Sequence, residues 1–188
     1  MIINFERKKL ANAIIYFVEK TKYCGVTKLF KLLYMLDFIH FRETARSVTG
    51  LQYVTWPKGP APSELWFEIK GGLKADLANS VRFDNPREDE GRHLVSIKPL
   101  RKFDGKFFSK RETRIMENLA FIFLEARAEA MVEVTHLRGL PWDRTLKNKG
   151  LNAQIDYMLA LDGVEGQLDE EELKHRIEEQ EETRKVLG

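Results

Sequence analysis

The chain is predicted to be an α+β domain, predominantly helical, with a buried central helix, surrounding helices and a small antiparallel β-sheet. Three observations predict it. Apolar residues recur at three- and four-residue spacing from Glu6 to Glu19. Lys28 to Phe41 (KLFKLLYMLDFIHF) is apolar on nearly every face. Residues 81–108 alternate short apolar runs with turn signals, leaving no room for helical crossovers between parallel strands.

In the first helix Leu10, Ala13, Ile14, Phe17 and Val18 form one stripe, with Lys8, Lys9, Asn12 and Glu19 on the other side. Gly25 breaks the chain, and Thr27 is placed to cap the second helix, which is interrupted mainly by Lys31, Asp37 and His40. A short strand is expected around Leu51 to Trp56, then a stiff Pro-Gly-Pro loop. Pro62 and Ser63 open a third helix through Leu65, Trp66, Ile69 and Leu73, weakened at its end by Gly71 and Gly72. Asn85-Pro86, Leu94 to Ile97 and Asp104-Gly105 mark the turns and strands of the sheet. Ser109 and Glu112 have the capping-box spacing, so a long helix is predicted from about Lys110 to Thr135. Gly139 and Pro141 end it, Trp142 anchors a turn or short helix, and another helical piece is expected near Asn152 to Leu161. The expected division is a domain over 1–164 and an acidic helical tail over 165–188, whose stripe is only Leu168, Leu173 and Ile177.

A chain of 188 residues, 43% hydrophobic and 32% charged, can bury a core without disulfide or metal staples. Its single cysteine, Cys24, excludes an intramolecular disulfide and multi-cysteine zinc sites, and fits a reducing, cytoplasmic setting. No apolar run approaches the roughly 18 residues of a membrane span. Arg7, Lys8 and Lys9 before Ala11 to Val18 resemble a signal peptide, but Glu19, Lys20 and Lys22 stand where a cleavage site would. The net charge of +2 is unevenly divided: residues 165–185 carry nine acids and four bases, a net −5, which leaves +7 on the first 164. That asymmetry suits a nucleic acid or an acidic partner.

Several side chains carry chemistry in principle. Asp37 and His40, three apart, share a helix face and could hydrogen-bond, either as a satisfied polar network or as an enzyme's proton-transfer pair. His40, His93, His136 and His175 are isolated, with no metal-ligand spacing, and no phosphate-loop, dinucleotide or nucleophile-elbow motif is present, so neither cofactor nor metal is expected. Lys8, Lys9, Lys20, Lys22, Lys28 and Lys31, with Tyr16 and Tyr23 between them, read as a solvated face or a phosphate-contacting one. No recognition helix accompanies them, so nucleic-acid binding is not expected. Tyr53 to Pro62 packs two aromatics and three prolines into ten residues. Such a segment loses little backbone entropy on binding. Trp56 can anchor a partner, close the core, or do both.

Lys28-Leu29-Phe30-Lys31-Leu32-Leu33-Tyr34, then Asp37-Phe38-Ile39-His40-Phe41, then Thr49-Gly50 and Trp56-Pro57-Lys58-Gly59-Pro60-Ala61-Pro62 resemble the Panacea, or SocA-like, antitoxin domain. Thr135-His136 and Pro141-Trp142 resemble that family's Ser/Thr-His and Pro-Trp elements, and the likeness spans about residues 6–160. Ala45 departs from it, standing where glycine is frequent.

The resemblance implies the antitoxin of a bacterial or phage toxin–antitoxin pair, of the kind linked to phage defence. It would neutralise a protein toxin, encoded by the adjacent gene, through direct contact. It also implies an alternative, an adaptor delivering the toxin to a ClpXP-type protease; an enzyme using Asp37 and His40 to reverse toxin modification is a further one. No catalytic residue carries over. Lys31, Tyr34, Asp37, His40, His136 and Trp142 enter as structural motif positions. The expected partner contacts are Tyr53, Trp56, Pro57, Lys58 and Pro60 of the loop, and Leu168, Leu173 and Ile177 of the tail, whose negative charge suits a basic toxin surface.

Overall fold

The computed structural model describes residues 5–84 and 95–161. The acidic tail with Leu168, Leu173 and Ile177, and the Asn85-Pro86 turn, lie outside the described residues. Within them the chain is α+β and mostly helical. It comprises α1 (Phe5–Lys20), α2 (Val26–Thr44), β1 (Val54–Trp56), β2 (Gly59–Ala61), α3 (Ser63–Gly71), α4 (Ala75–Ala78), β3 (Val81–Asp84), β4 (Ser96–Pro99), α5 (Lys110–Ile122), α6 (Ala128–Thr135) and α7 (Pro141–Lys149). Short 3₁₀ turns cover Gly105–Phe107 and Tyr157–Ala160.

Helix α2 is the centre, as its sequence predicts. Leu29, Leu32, Leu33 and Leu36 are fully buried, and α1, α5, α6 and the β1–β2 hairpin pack around it. It starts from Gly25 without a side-chain cap, so Thr27 does not cap it. It ends on Ala45, left-handed at φ 56°, whose N–H reaches the Phe41 carbonyl at 2.7 Å. A glycine would adopt that conformation without steric cost.

Helix α1 is less amphipathic than its stripe suggests, because every residue from Leu10 to Phe17 is buried. Asn12, expected on the polar side, is fully buried. Its amide donates to the Lys8 carbonyl, and its oxygen accepts from Arg101 and from the Asp104 N–H, both at 2.9 Å. This bonding makes its burial tolerable and fastens residues 101–104 to the helix. At the other end of that face, the Arg7 guanidinium donates to both Glu68 and Asp76, tying α1 to α3 and α4.

Strands β3 and β4 pair antiparallel, Val81 with Pro99 through Asp84 with Ser96. The Pro-Gly-Pro segment, expected as loop, is a strand instead: β2 pairs with β1 in register Val54–Ala61, Thr55–Pro60 and Trp56–Gly59, leaving Pro57-Lys58 as the turn. Residues 153–155, expected to be helical, run along the other edge of β1, entered through a turn at Asn152 (φ 61°). The Asn152 N–H donates to the Thr55 carbonyl, the Thr55 N–H to Ala153, and the Ile155 N–H to Tyr53.

The predicted long helix is two helices, α5 and α6, broken at residues 123–127. The Ser109–Glu112 capping box starts α5 as expected, with both reciprocal bonds present. The break follows from Lys28. This lysine is fully buried, and its ammonium donates to the carbonyls of Lys22, Phe123 and Ala126, each at 2.7 Å. An ammonium has three protons, and two of them here take the Phe123 and Ala126 carbonyls, which a continuous helix would direct along its axis.

Candidate functional site

Two buried polar centres lie along α2 and fix the segments that follow it. The first is Asp37, fully buried. Its Oδ1 accepts the Val48 and Thr49 N–H groups at 2.8 Å each, and its Oδ2 accepts the Thr49 and Tyr53 hydroxyls. Burial pushes this carboxyl up to about 6 while the four donors hold it down. Tyr53 continues into a ring cluster with Tyr34, Phe38 and Tyr157, and the Tyr157 hydroxyl donates to the Leu51 carbonyl. Asp37 thus converts the turn after α2 into a fixed base for β1.

The three-residue spacing does not join Asp37 to His40. The His40 Nδ1 lies 2.6 Å from the Arg46 carbonyl and so carries the proton; its Nε2 faces Glu112 at 4.0 Å. Burial foremost lowers its pKa. This ring lines a cleft of about 780 Å³ with Lys9, Thr44, Arg46, Arg111 and Glu112, and Val48, whose N–H donates to Asp37, lines it too. The Lys9 ammonium already meets Glu112 at 2.6 Å.

The second centre lies two turns earlier on α2. The Lys31 side chain is buried, and its ammonium donates to the Pro60 carbonyl at 2.7 Å. Desolvation pushes it down to about 7. Gly59, left-handed at φ +94°, sits against it. A Cβ at Gly59 would stand 2.9 Å from both Lys31 Nζ and His136 Nε2, and 3.0 Å from Thr135 Oγ1. His136 stacks on Trp142 with 3.8 Å between ring centroids and 5° between planes. Its Nε2, the Trp142 Nε1 and the Tyr34 hydroxyl are buried without a hydrogen-bond partner among the described residues; Tyr34 lies beside the Trp142 main chain. Lys31, Tyr34, His136 and Trp142, far apart in sequence, therefore converge behind the hairpin.

On the outer side, Pro57 and Lys58 are exposed and Trp56 is half-buried, meeting Trp66 edge-on. Tyr53 and Pro60 are buried, Tyr53 donating to Asp37 and the Pro60 carbonyl accepting from Lys31. Of the six basic residues noted near the N-terminus, Lys28 and Lys31 are inside the fold, Lys9 and Lys22 pair with Glu112 and Glu125, and Lys8 lies over the Phe107 ring. Periodicity missed Asn12 and Lys28 as polar anchors, because their partners lie about 90 residues away; the lysine's place within an apolar run was the one local signal.

Among the described residues no helix is long and apolar enough to cross a membrane, and no three His, Cys, Asp or Glu side chains gather as a metal site. Comparison with curated proteins and with solved structures found no match. Residues 29–143, which run from the central helix to Trp142 and its neighbour, match the family model described as "Antitoxin SocA-like, Panacea domain". Most of the chain, including both buried centres and the hairpin they hold, lies within that match, and the chain belongs to the SocA-like antitoxin Panacea domain family.

Proposed function

We propose that this protein is an antitoxin that neutralises a protein toxin by direct contact, with the Trp56-Pro57-Lys58 turn at the centre of the contact and the acidic 165–188 segment extending it. The observation that carries this reading is the exposed Pro57-Lys58 turn on a hydrogen-bonded base: Lys31 bonds Pro60, and Asp37 bonds Tyr53 and Thr49. A turn ordered before binding loses little entropy on association, and Trp56 supplies aromatic area. The tail's net −5 would steer a basic toxin surface and add specificity. The burial or pairing of five of the six N-terminal lysine and tyrosine-flanked bases favours a protein partner over a phosphate backbone. The separation of Asp37 from His40 favours binding over catalysis.

The toxin is expected from an adjacent gene, and the site of action is the cytoplasm. Expressing each neighbouring gene with and without this chain, in cells with and without a ClpXP-type protease, tests the reading. Growth arrest by one neighbour, relieved by this chain in both backgrounds, supports sequestration. Relief only where the protease is present, with a shortened toxin half-life, supports the adaptor role instead. No toxic neighbour, or relief without a complex, refutes both.

A further inference from the structure

The Lys31–Gly59–His136 contact brings two bases together with no acid between them. Both Lys31 Nζ and His136 Nε2 lie within 2.9 Å of one point on Gly59, so they stand less than 6 Å apart. Lys31 uses one of its three possible protons, on Pro60, and His136 Nε2 has no partner. Among the described residues the surroundings offer no neutralising carboxylate. On α2 the neighbour is Tyr34, on the hairpin Lys58; beside His136 on its own segment are Glu133 and Arg138, and on α7 Asp143, which is bound to the Gly139 N–H and Lys147. Of these charges none but Lys31 acts on His136, and it acts, after burial, against protonation.

We propose that Lys31 and His136 hold one proton between them, and that a second proton, taken up by His136 on acidification, unseats the 54–61 hairpin from α6. The reason is electrostatic. Two unit charges at this separation, in a site shielded from water, repel by about 3 kcal/mol at an effective dielectric of about 20. Lys31 is anchored by a helix buried on all sides, whereas the hairpin is held at this end through Pro60 and Gly59. The softer element moves. This holds whether or not the hairpin meets a toxin, since it concerns the free protein.

The test is a pH titration of the full chain by NMR, following the His136 ring and the amide protection of Trp56 and Gly59. The expected result is a His136 midpoint below 6.5, the ordinary value, moving up in Lys31→Met. Protection at Trp56 and Gly59 should fall about tenfold through the same midpoint while Leu33, in the core of α2, stays protected. His136→Gln, which keeps a neutral side chain and cannot titrate, should remove the tenfold step at the His136 midpoint, leaving only the shallower dependence that Asp37 and Lys31 impose on both proteins. Because Lys31→Met could unfold, the His136→Gln comparison stands alone. Equal loss of hairpin protection in His136→Gln and in the unaltered chain overturns the proposal, as does a His136 midpoint at or above 6.5 in the unaltered chain.

Discussion

The Lys31 ammonium donates to the Pro60 carbonyl at 2.7 Å from a fully desolvated position on the central helix. The bond fixes β2 against α2, and the charge it buries makes folding depend on pH. Lys31 is pushed down from its ordinary 10.5 to about 7. Between those values the unfolded chain holds a proton that the folded chain has shed, so stability rises with pH across this window. Urea midpoints of the unaltered chain should therefore climb from pH 7 to pH 9 relative to Lys31→Met. Parallel curves for the two would show that the buried amine is solvated after all.

Asp37 accepts four hydrogen bonds, two from main-chain N–H groups and two from hydroxyls. Asparagine has one acceptor oxygen and turns N–H donors toward donors. Asp37→Asn should destabilise the fold by about 2–4 kcal/mol in urea unfolding, most of it the penalty of buried donors left unpaired. The acid side has its own sign. With the folded carboxyl near 6 and the unfolded near 3.8, the folded chain holds the extra proton in that interval, so this group's contribution is greatest below it and declines as pH rises through 6. Asp37→Asn should abolish that decline.

Lys28 holds the α5–α6 break open through the Phe123 and Ala126 carbonyls and ties it to the Lys22 carbonyl before α2. Lys28→Met keeps the apolar stem and removes the ammonium, leaving those carbonyls unmatched. A loss of about 2–3 kcal/mol is expected, with faster amide exchange concentrated in residues 123–127. An unaltered exchange pattern there would mean the break is set by Arg127 and its neighbours instead.

Two glycines allow a controlled comparison. Gly59 (φ +94°) and Gly72 (φ +112°) are both left-handed, but a Cβ at Gly59 would press on Lys31, Thr135 and His136 while one at Gly72 meets nothing within 4 Å. Gly72→Ala should cost about 1–3 kcal/mol, the conformational part alone, since φ 112°, ψ 126° is a backbone region kept by glycine. Gly59→Ala should cost visibly more in the same thermal or urea assay, and equal losses would show that the side chains behind the hairpin yield freely.

The elements whose causes are local were legible in the sequence. The burial of α2 follows from its near-continuous apolar run, the start of α5 from Ser109 and Glu112, and the antiparallel β3–β4 pair from the short spacing of its strands. What escaped reading depends on partners distant in the chain. Apolar periodicity continues through Phe123 and Ala126, and only Lys28, on another helix, withdraws their carbonyls from the ladder. Gly59-Pro60-Ala61 has poor strand propensity, yet pairs with β1 because Lys31 anchors it. Residues 153–155 line up along β1 because its free edge lies beside them. At the site, the motif positions were visible as residues, but the convergence of Lys31 with His136 behind Gly59 was not. Nor was the division of Asp37 from His40, since shared helix face does not determine which neighbouring segment each side chain meets.

The central claim is that the exposed hairpin turn makes direct contact with the toxin. Its most direct test is the affinity of the purified toxin for the unaltered chain and for Lys58→Glu, measured by calorimetry alongside the melting temperature of each. Lys58 is exposed and carries no structural bond among the described contacts, so melting should be unchanged. The account predicts that affinity falls at least about tenfold, the scale of losing a contact of about 1.4 kcal/mol. Equal affinity for the two proteins would place the toxin on another face and contradict the account.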